Sequence, residues 1–230
     1  NAFRGMIASL RKTIERLDQP VGASAWRTYY DESDHYSAEA AERKEALVRA
    51  WIDEVGPRTV WDLGANTGRF ARLASRVGID TLALDVDPFC VDEAYRTARA
   101  ENDEHLLPLV QDLTNPSTGI GWEGRERTAL KDRGPADMVL ALALIHHLAI
   151  ANNIPLASVL DELGRLGRWV IVEFVPKDDP KVQLLMQNRE DVFSEYTMER
   201  FETVAGARFR IQHRAAVTDS GRTLYLLGPR

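Results

Sequence analysis

Three aspartates stand at the ends of successive apolar runs that have the composition of β-strands. Asp62 lies within the first run, Asp85 directly follows the run 81–84, and Asp112 follows the run 107–110. The spacing from Asp62 to Asp85 is the one at which an acid at a second strand end reaches a ribose. A carboxylate can accept hydrogen bonds from both ribose hydroxyls, and one at Asp112 could accept from an exocyclic amino group. Together the three acids predict a nucleoside-binding edge.

The first run ends in a turn that contains two glycines, Gly64 and Gly68. Glycine allows a tight turn and close approach of the backbone to a ligand, and the helix that follows presents free N–H groups. Two alternatives stay open. The turn could simply join a strand to a helix, and Asp85 or Asp87 could be an acid at a helix N-terminus, where the helix dipole favours it.

These residues need a framework in which strand ends meet, and the hydrophobic pattern predicts one. The apolar runs, which resemble strands buried on both faces of a parallel sheet, alternate with segments of helical spacing. The runs 209–217 and 223–227 are separated by a short turn, which predicts an antiparallel hairpin. We therefore expect a mostly parallel α/β sheet with an antiparallel edge, which binds its ligand outside the carboxyl ends of the strands.

Four motifs, in order, resemble those of class I S-adenosylmethionine-dependent methyltransferases: Val60-Trp61-Asp62-Leu63-Gly64-Ala65-Asn66-Thr67-Gly68, Leu84-Asp85-Val86-Asp87, Gln111-Asp112-Leu113 and Asp137-Met138-Val139-Leu140. The resemblance runs from about Val60 to the C-terminus. It implies a Rossmann-like, seven-stranded, mostly parallel sheet with an antiparallel C-terminal strand and helices on both faces. It also implies S-adenosylmethionine as cofactor and S-adenosylhomocysteine as product.

One residue departs from the family turn, because Asn66 stands where the central glycine is usual. Asparagine tolerates left-handed backbone geometry, so the turn is expected to survive. The glycines follow Gly-x-x-x-Gly rather than Gly-x-Gly-x-x-Gly spacing, which favours the methyl donor over a dinucleotide. The pattern also resembles a bacterial subgroup of nodulation-type methyltransferases, in which this chain would be the C-terminal part of a longer protein. Its first residue, Asn1, agrees with an excised piece.

The resemblance also implies roles for individual residues. Gly64, Asn66 and Gly68 line the methionine end of the cofactor, Asp85 binds the ribose, and Asp112 with Leu113 frames the adenine. An aromatic N-terminal segment, with Tyr30 and Tyr36, resembles segments that close over the cofactor in related enzymes. The predicted set of cofactor-binding residues is completed by Asp62, Ala65, Val86 and Ala141.

Two adjacent histidines, His146 and His147, follow the fourth predicted strand, where side chains should face the transferred methyl group. Methyl transfer from a sulfonium is an in-line displacement, so the protein mainly positions the reactants and, where needed, removes a proton from the acceptor. Either histidine could be that general base, or both could be packing residues. A metal site is not predicted, because adjacent histidines project differently and no third ligand is evident.

Two further segments could recognise the acceptor. The long connection 114–135 contains Trp122, which could stack on a flat group, and Arg127, which could hold an anion. Alternatively, this connection is a surface loop whose tryptophan packs on the core. The segment 186–196 is expected to form a lid, although its composition identifies no substrate.

The composition limits the class of protein. With 29 basic and 35 acidic side chains, the net charge is −6 and 44% of residues are hydrophobic, which is typical of one globular domain with a small appendage. We expect an N-terminal helical and aromatic cap segment at 1–55 and the methyltransferase domain at 56–230. The sequence has no apolar stretch long enough for a membrane helix. The single cysteine, Cys90, excludes an intrachain disulfide and predicts a reducing, cytoplasmic compartment.

The leading hypothesis is methylation of an oxygen or nitrogen on a small molecule or protein. No Asn-Pro-Pro-Tyr-like motif follows the fourth strand, which argues against DNA amino methylation. Two alternatives stay open: a non-catalytic S-adenosylmethionine-binding or interaction module, and an RNA methyltransferase that uses the six arginines between Arg200 and Arg230. The sequence does not identify the acceptor or the oligomeric state.

Overall fold

The structure, a computed structural model, describes residues 2–17, 38–217 and 221–230. Its helices are α1 (Ala2–Glu15), α2 (Ala38–Val55), α3 (Ala71–Ser75), α4 (Pro88–Glu101), α5 (Leu156–Leu166), α6 (Pro180–Met186) and α7 (Met198–Arg208). Its strands are β1 (Thr59–Leu63), β2 (Asp80–Asp85), β3 (Leu106–Val110), β4 (Ala136–Ala141), β5 (Gly167–Phe174), β6 (Arg210–Ala216) and β7 (Thr223–Gly228). A π-helical turn, His147–Ala151, follows β4.

The seven strands form one sheet in the order β3-β2-β1-β4-β5-β7-β6. The first five strands pair in parallel, and β7 is inserted antiparallel between β5 and β6. The predicted seven-stranded sheet with an antiparallel C-terminal hairpin is therefore confirmed. Strand order reverses between β1 and β4, and such a reversal opens a crevice at the carboxyl ends of the strands.

The continuous apolar runs arise because both faces of the sheet are covered. In β4, Val139 and Ala141 face the core that α5 and α7 complete, whereas Met138 and Leu140 face the core beneath α2 and α3. A strand buried on both faces cannot alternate polar with apolar residues, which is why its periodicity is lost. Packing of both faces fixes the positions of the strand ends, and therefore also those of the residues that follow them.

The two N-terminal helices differ in what they bury. Helix α2 packs Val48, Trp51 and Ile52 into the sheet core. The part of the predicted cap segment from residue 38 onward thus shares one core with 56–230. Helix α1 buries none of its residues. In the part of the chain that the structure describes, no helix is both long and apolar enough to cross a membrane.

Candidate active site

A cavity of about 370 Å³ opens at the carboxyl ends of β1, β2 and β4, where the strand order reverses. Seven of the residues singled out from the sequence line it: Gly64, Asn66, Asp85, Val86, Asp112, Leu113 and His147. They come from four connections that are far apart in sequence, and the parallel sheet brings them to a single edge. The volume falls within the range of about 300–1,000 Å³ that is usual for small-molecule sites.

The side chain of Asp85 connects the turn after β1 to the end of β2 by hydrogen bonds. Its Oδ2 accepts a hydrogen bond from the N–H of Asn66 at 2.7 Å, and its Oδ1 accepts one from the N–H of Asp87 at 2.9 Å. Burial raises the pKa of Asp85, and the backbone hydrogen bonds from Asp87 and Asn66 oppose that rise. A carboxylate oxygen has a second lone pair, so these bonds leave acceptor capacity for ribose hydroxyls.

The turn after β1 needs left-handed backbone at three positions: Gly64 with φ of 70°, Asn66 with φ of 51° and Gly68 with φ of 76°. At Gly64 a Cβ would lie 3.1 Å from a methyl carbon of Leu144, so only glycine lets the backbone approach the cavity wall there. Gly68 lies outside the cavity lining, and a Cβ there would meet Ala94 of α4. The second glycine therefore supports helix packing rather than the cavity surface.

Asp62 lies beneath the cavity and does not line it. The residue is buried, and burial raises the pKa of its carboxyl to about 7. The negative charge of Asp85 adds to the rise, while a hydrogen bond from the backbone of Ala71 and the charge of Lys44 oppose it. Asp62 can therefore gain or lose a proton near neutral pH, close to the predicted methionine end of the cofactor.

The side of the cavity where adenine binding is predicted carries a half-buried acid, Asp112. Oδ1 of Asp112 accepts hydrogen bonds from the hydroxyl of Thr114 at 2.7 Å and from its N–H at 2.8 Å. These bonds lower the pKa of Asp112, so the carboxylate is ionised at neutral pH. Asp87 has a different role, because its side chain accepts from the N–H of Phe89 and caps α4. The structure thus gives Asp87 the helix-terminus role that the sequence left as an alternative.

The adjacent histidines face different environments. His147 lines the cavity, and burial, reinforced by the charge of Arg222, lowers its pKa to about 4. His146 is completely buried and does not line the cavity, and neither of its ring nitrogens has a hydrogen-bond partner among the described residues. The expectation that either histidine could reach the methyl group is corrected for His146, because consecutive residues of a helical turn point in different directions.

Ala65, Ala141 and Trp122 do not line the cavity. Ala65 and Ala141 are buried in the core, and Tyr30 and Tyr36 fall outside the described residues. Trp122 is 81% exposed and does not contact the cavity. It projects from a small antiparallel turn in which Ile120 pairs with Arg127, so the structure places this turn on the surface and not over the cavity.

Residues from two further segments line the cavity although they were not predicted as site residues. The turn after β4 contributes Leu142, Ala143, Leu144, Leu148, Ala151 and Asn152, and α6 contributes Leu185. The first group follows a predicted strand end, so its position along the chain was a usable signal. Leu185 immediately precedes the predicted lid 186–196, and only the packing of α6 against the π-helical turn brings it to the cavity.

No family model matches the sequence. The nodulation protein NoeA of Rhizobium meliloti is 38% identical over 226 residues, which are 98% of this chain and 47% of NoeA. The chain therefore spans about half the length of this curated relative.

Solved structures of methyltransferases resemble this one. Magnesium protoporphyrin IX methyltransferase from Synechocystis, crystallised with bound S-adenosylhomocysteine, superposes with a TM-score of 0.57 and 17% identity, covering 82% of this chain and 84% of that one. A putative O-methyltransferase from Nostoc punctiforme gives a TM-score of 0.60 and 17% identity, over 88% of this chain and 59% of its own. The chain has the fold of the class I S-adenosylmethionine-dependent methyltransferases: it shares their strand order, their inserted antiparallel strand and a cavity where the strand order reverses.

Proposed function

We propose that the chain binds S-adenosylmethionine and transfers its methyl group to an oxygen or nitrogen of a small-molecule or protein acceptor. The observation that carries this proposal is that Asp85, Asp112 and the Gly64–Asn66 turn line one cavity, at the place where the strand order reverses. When bound, S-adenosylmethionine supplies a methyl group made electrophilic by its sulfonium.

The residues of the cavity fit the parts of this cofactor. Asp85 offers acceptor capacity to the ribose hydroxyls, and Asp112 offers an ionised carboxylate to the adenine amino group. The backbone at Gly64 is open to close approach because glycine has no side chain, and an added Cβ would lie only 3.1 Å from Leu144. Asp62, when ionised, attracts the ammonium group of the methionine part through the turn that covers it.

We assign to His147 the role of binding the methyl acceptor. Its low pKa keeps the imidazole neutral at pH values near 7, so a ring nitrogen can accept a hydrogen bond from an acceptor hydroxyl or amine. A base with so low a pKa holds a proton weakly. Its main contribution is therefore to orient the acceptor lone pair toward the methyl group, with proton removal concerted with or following transfer.

Ion pairing of the C-terminal arginines favours a small-molecule or protein acceptor over RNA. Ion pairs with acidic side chains engage Arg200, Arg208, Arg214 and Arg222. Paired guanidinium groups contribute less to a positive surface field than free ones, and such a field dominates binding to nucleic acid.

Calorimetric titration with S-adenosylhomocysteine tests the proposal. We expect the wild-type chain to bind in the micromolar range, and Asp85→Asn to weaken binding by about tenfold or more because a charged acceptor is lost. Asp80→Asn is the matched control, since Asp80 begins the same strand at its opposite end and is exposed. Absence of wild-type binding, or equal affinity of the wild type and Asp85→Asn, would remove the basis of the proposed function.

A further inference from the structure

Four charged side chains from four different segments meet in the interior behind the cavity. Lys44 comes from α2, Glu173 from β5, Asp179 from the N-cap of α6 and Arg222 from the residue before β7. Each is at most 5% exposed. Burial of charge is costly even in pairs, and apolar side chains of similar volume often support a fold equally well. The cluster therefore calls for an explanation beyond stability.

Glu173 connects this cluster to the cavity wall. Its Oε2 accepts a hydrogen bond from Nζ of Lys44 at 2.7 Å and another from the N–H of Ala143 at 2.8 Å. Ala143 lines the cavity and has a φ of 49°, a left-handed conformation that alanine rarely adopts. Because this conformation costs about 1–2 kcal/mol for a residue with a Cβ, an outside interaction must hold it.

The other half of the cluster reaches a second part of the wall. Arg222 donates to both carboxylate oxygens of Asp179, from Nε at 2.7 Å and from Nη2 at 3.1 Å. Asp179 in turn accepts from the N–H of Lys181 and caps α6, the helix that places Leu185 in the cavity. Nη1 of Arg222 lies 3.9 Å from Oε1 of Glu173, so the two pairs form one electrostatic unit.

We propose that Glu173 is a positioning residue of the cofactor site: its carboxylate holds Ala143 in the left-handed conformation that this part of the cavity wall requires, and Lys44 compensates the buried charge of that carboxylate. The inference rests on the proposed function, since the wall that Glu173 supports is the one assigned to the cofactor. It also makes α2 part of the site, although no residue of that helix lines the cavity.

A purely structural ion pair and a positioning carboxylate differ in one respect. A structural pair can be replaced by any pair of side chains that fills the same volume without leaving a charge unpaired. A positioning carboxylate needs an oxygen next to the N–H of Ala143. The Arg222–Asp179 pair has no net charge, so removal of Lys44 and Glu173 together leaves the charge of the cluster balanced.

Two double variants separate these roles. Lys44→Met with Glu173→Leu removes the pair and the oxygen acceptor, whereas Lys44→Met with Glu173→Gln removes the pair and keeps an amide oxygen. We expect the leucine variant to bind S-adenosylhomocysteine about tenfold more weakly than the wild type, and the glutamine variant to stay within about threefold. Similar melting temperatures of the two variants confirm that both fold. Equal affinities of the two variants would overturn the proposal.

A triple variant tests the link to Ala143 directly. Glycine adopts positive φ without strain, so Ala143→Gly added to the leucine variant should restore affinity to within about threefold of the wild type. If the affinity stays at the level of the leucine variant, Glu173 does not act through the conformation of residue 143.

Amide hydrogen exchange of residues 141–144 gives a second readout that needs no ligand. We expect faster exchange in the leucine variant than in the glutamine variant, because the N–H of Ala143 has lost its acceptor. A wild type that fails to bind S-adenosylhomocysteine while this difference in exchange is present refutes the proposed function and leaves the structural role of Glu173 supported. Equal exchange in the two variants refutes that role whatever the cofactor does.

Discussion

The N–H of Asn66 donates a hydrogen bond of 2.7 Å to the carboxylate of Asp85, which joins the turn after β1 to the end of the neighbouring strand β2. The bond lies at the point where the backbone at Asn66 is left-handed, with φ of 51°. A single carboxylate therefore both fixes the turn and borders the cavity. Asp85, whose spacing from Asp62 the sequence linked to ribose binding, thus also holds the turn that borders the cavity.

The conformation of Asn66 leads to a prediction about substitution. Asn66→Gly should keep the turn and leave the affinity for S-adenosylhomocysteine within about threefold, because glycine adopts the same φ without strain. Asn66→Val should lower the free energy of unfolding by about 1–2 kcal/mol or more, because a β-branched residue is disfavoured at positive φ. Urea denaturation and calorimetry measure the two effects. Equal stability of the glycine and valine variants would show that the turn relaxes to another conformation.

Gly64 should be intolerant of any side chain, for two reasons that act together. Its φ is 70°, and a Cβ would lie 3.1 Å from Leu144. We expect Gly64→Ala to destabilise the fold by about 1–3 kcal/mol and to weaken binding of S-adenosylhomocysteine, since the alanine methyl must displace the cavity wall. Urea unfolding and calorimetry give the two quantities.

Gly206 is the matched control for that variant. It lies inside α7, and a Cβ there would meet nothing within 4 Å. Gly206→Ala should stabilise the fold by about 0.5–1 kcal/mol and leave ligand affinity unchanged, because alanine favours the helix over the unfolded chain. If both alanines destabilise equally, the effect at Gly64 does not come from its contact with Leu144.

The sequence predicted those features of the fold for which the residue type along the chain directly reflects the position in the folded protein. Strands buried on both faces have to be apolar throughout, so β1, β4 and β5 were recognisable as runs. Asp85 and Asp112 were recognisable because a parallel sheet brings strand ends to one edge whatever its detailed packing. The short spacing between the last two runs was enough to predict the antiparallel hairpin.

The features that were not predicted depend on backbone conformations and side-chain directions, which cannot be read from the sequence. Ala143 gave no sign of its left-handed conformation, because alanine is a residue that usually avoids it. His146 and His147 are neighbours with the same chemistry, and only the path of the turn after β4 decides which one faces the cavity. Leu185 reaches the site through the cap and packing of α6, which long-range contacts with Arg222 determine.

Binding of S-adenosylhomocysteine should depend on pH through Asp62. Burial raises the pKa of this carboxyl to about 7, so the acid is mostly protonated at lower pH and cannot attract the ligand's ammonium group. If the ionised form binds the ligand, affinity should rise by about tenfold between about pH 6 and about pH 8. Calorimetry across this range measures the effect.

The variant Asp62→Asn provides the control for that dependence. It should bind weakly at every pH and show a flat profile over the same range, because the amide does not titrate. A wild-type affinity that falls with rising pH would have the wrong sign for an acid that must ionise. An unchanged slope in Asp62→Asn would assign the dependence to another group.

Replacement of His146 should stabilise the protein. Its two ring nitrogens are buried without a hydrogen-bond partner in the described part of the chain, and burial lowers its pKa well below the usual value. His146→Leu removes unsatisfied polar atoms while it keeps much of the volume, so the free energy of unfolding should rise by about 1–3 kcal/mol. Urea denaturation at neutral pH measures this gain.

The gain from His146→Leu should also grow as the pH falls. An imidazole whose pKa is lowered by folding binds a proton in the unfolded chain first, so the wild type loses stability below a pH of about 6.5. The leucine variant escapes that loss. His105→Leu is the opposite control, because the exposed imidazole of His105 bonds to Asp80, which raises its pKa, and its contribution to stability is present at acid pH and fades as the pH rises. A gain for His146→Leu that is independent of pH would mean that this imidazole titrates alike in the folded and unfolded chains, contrary to its burial.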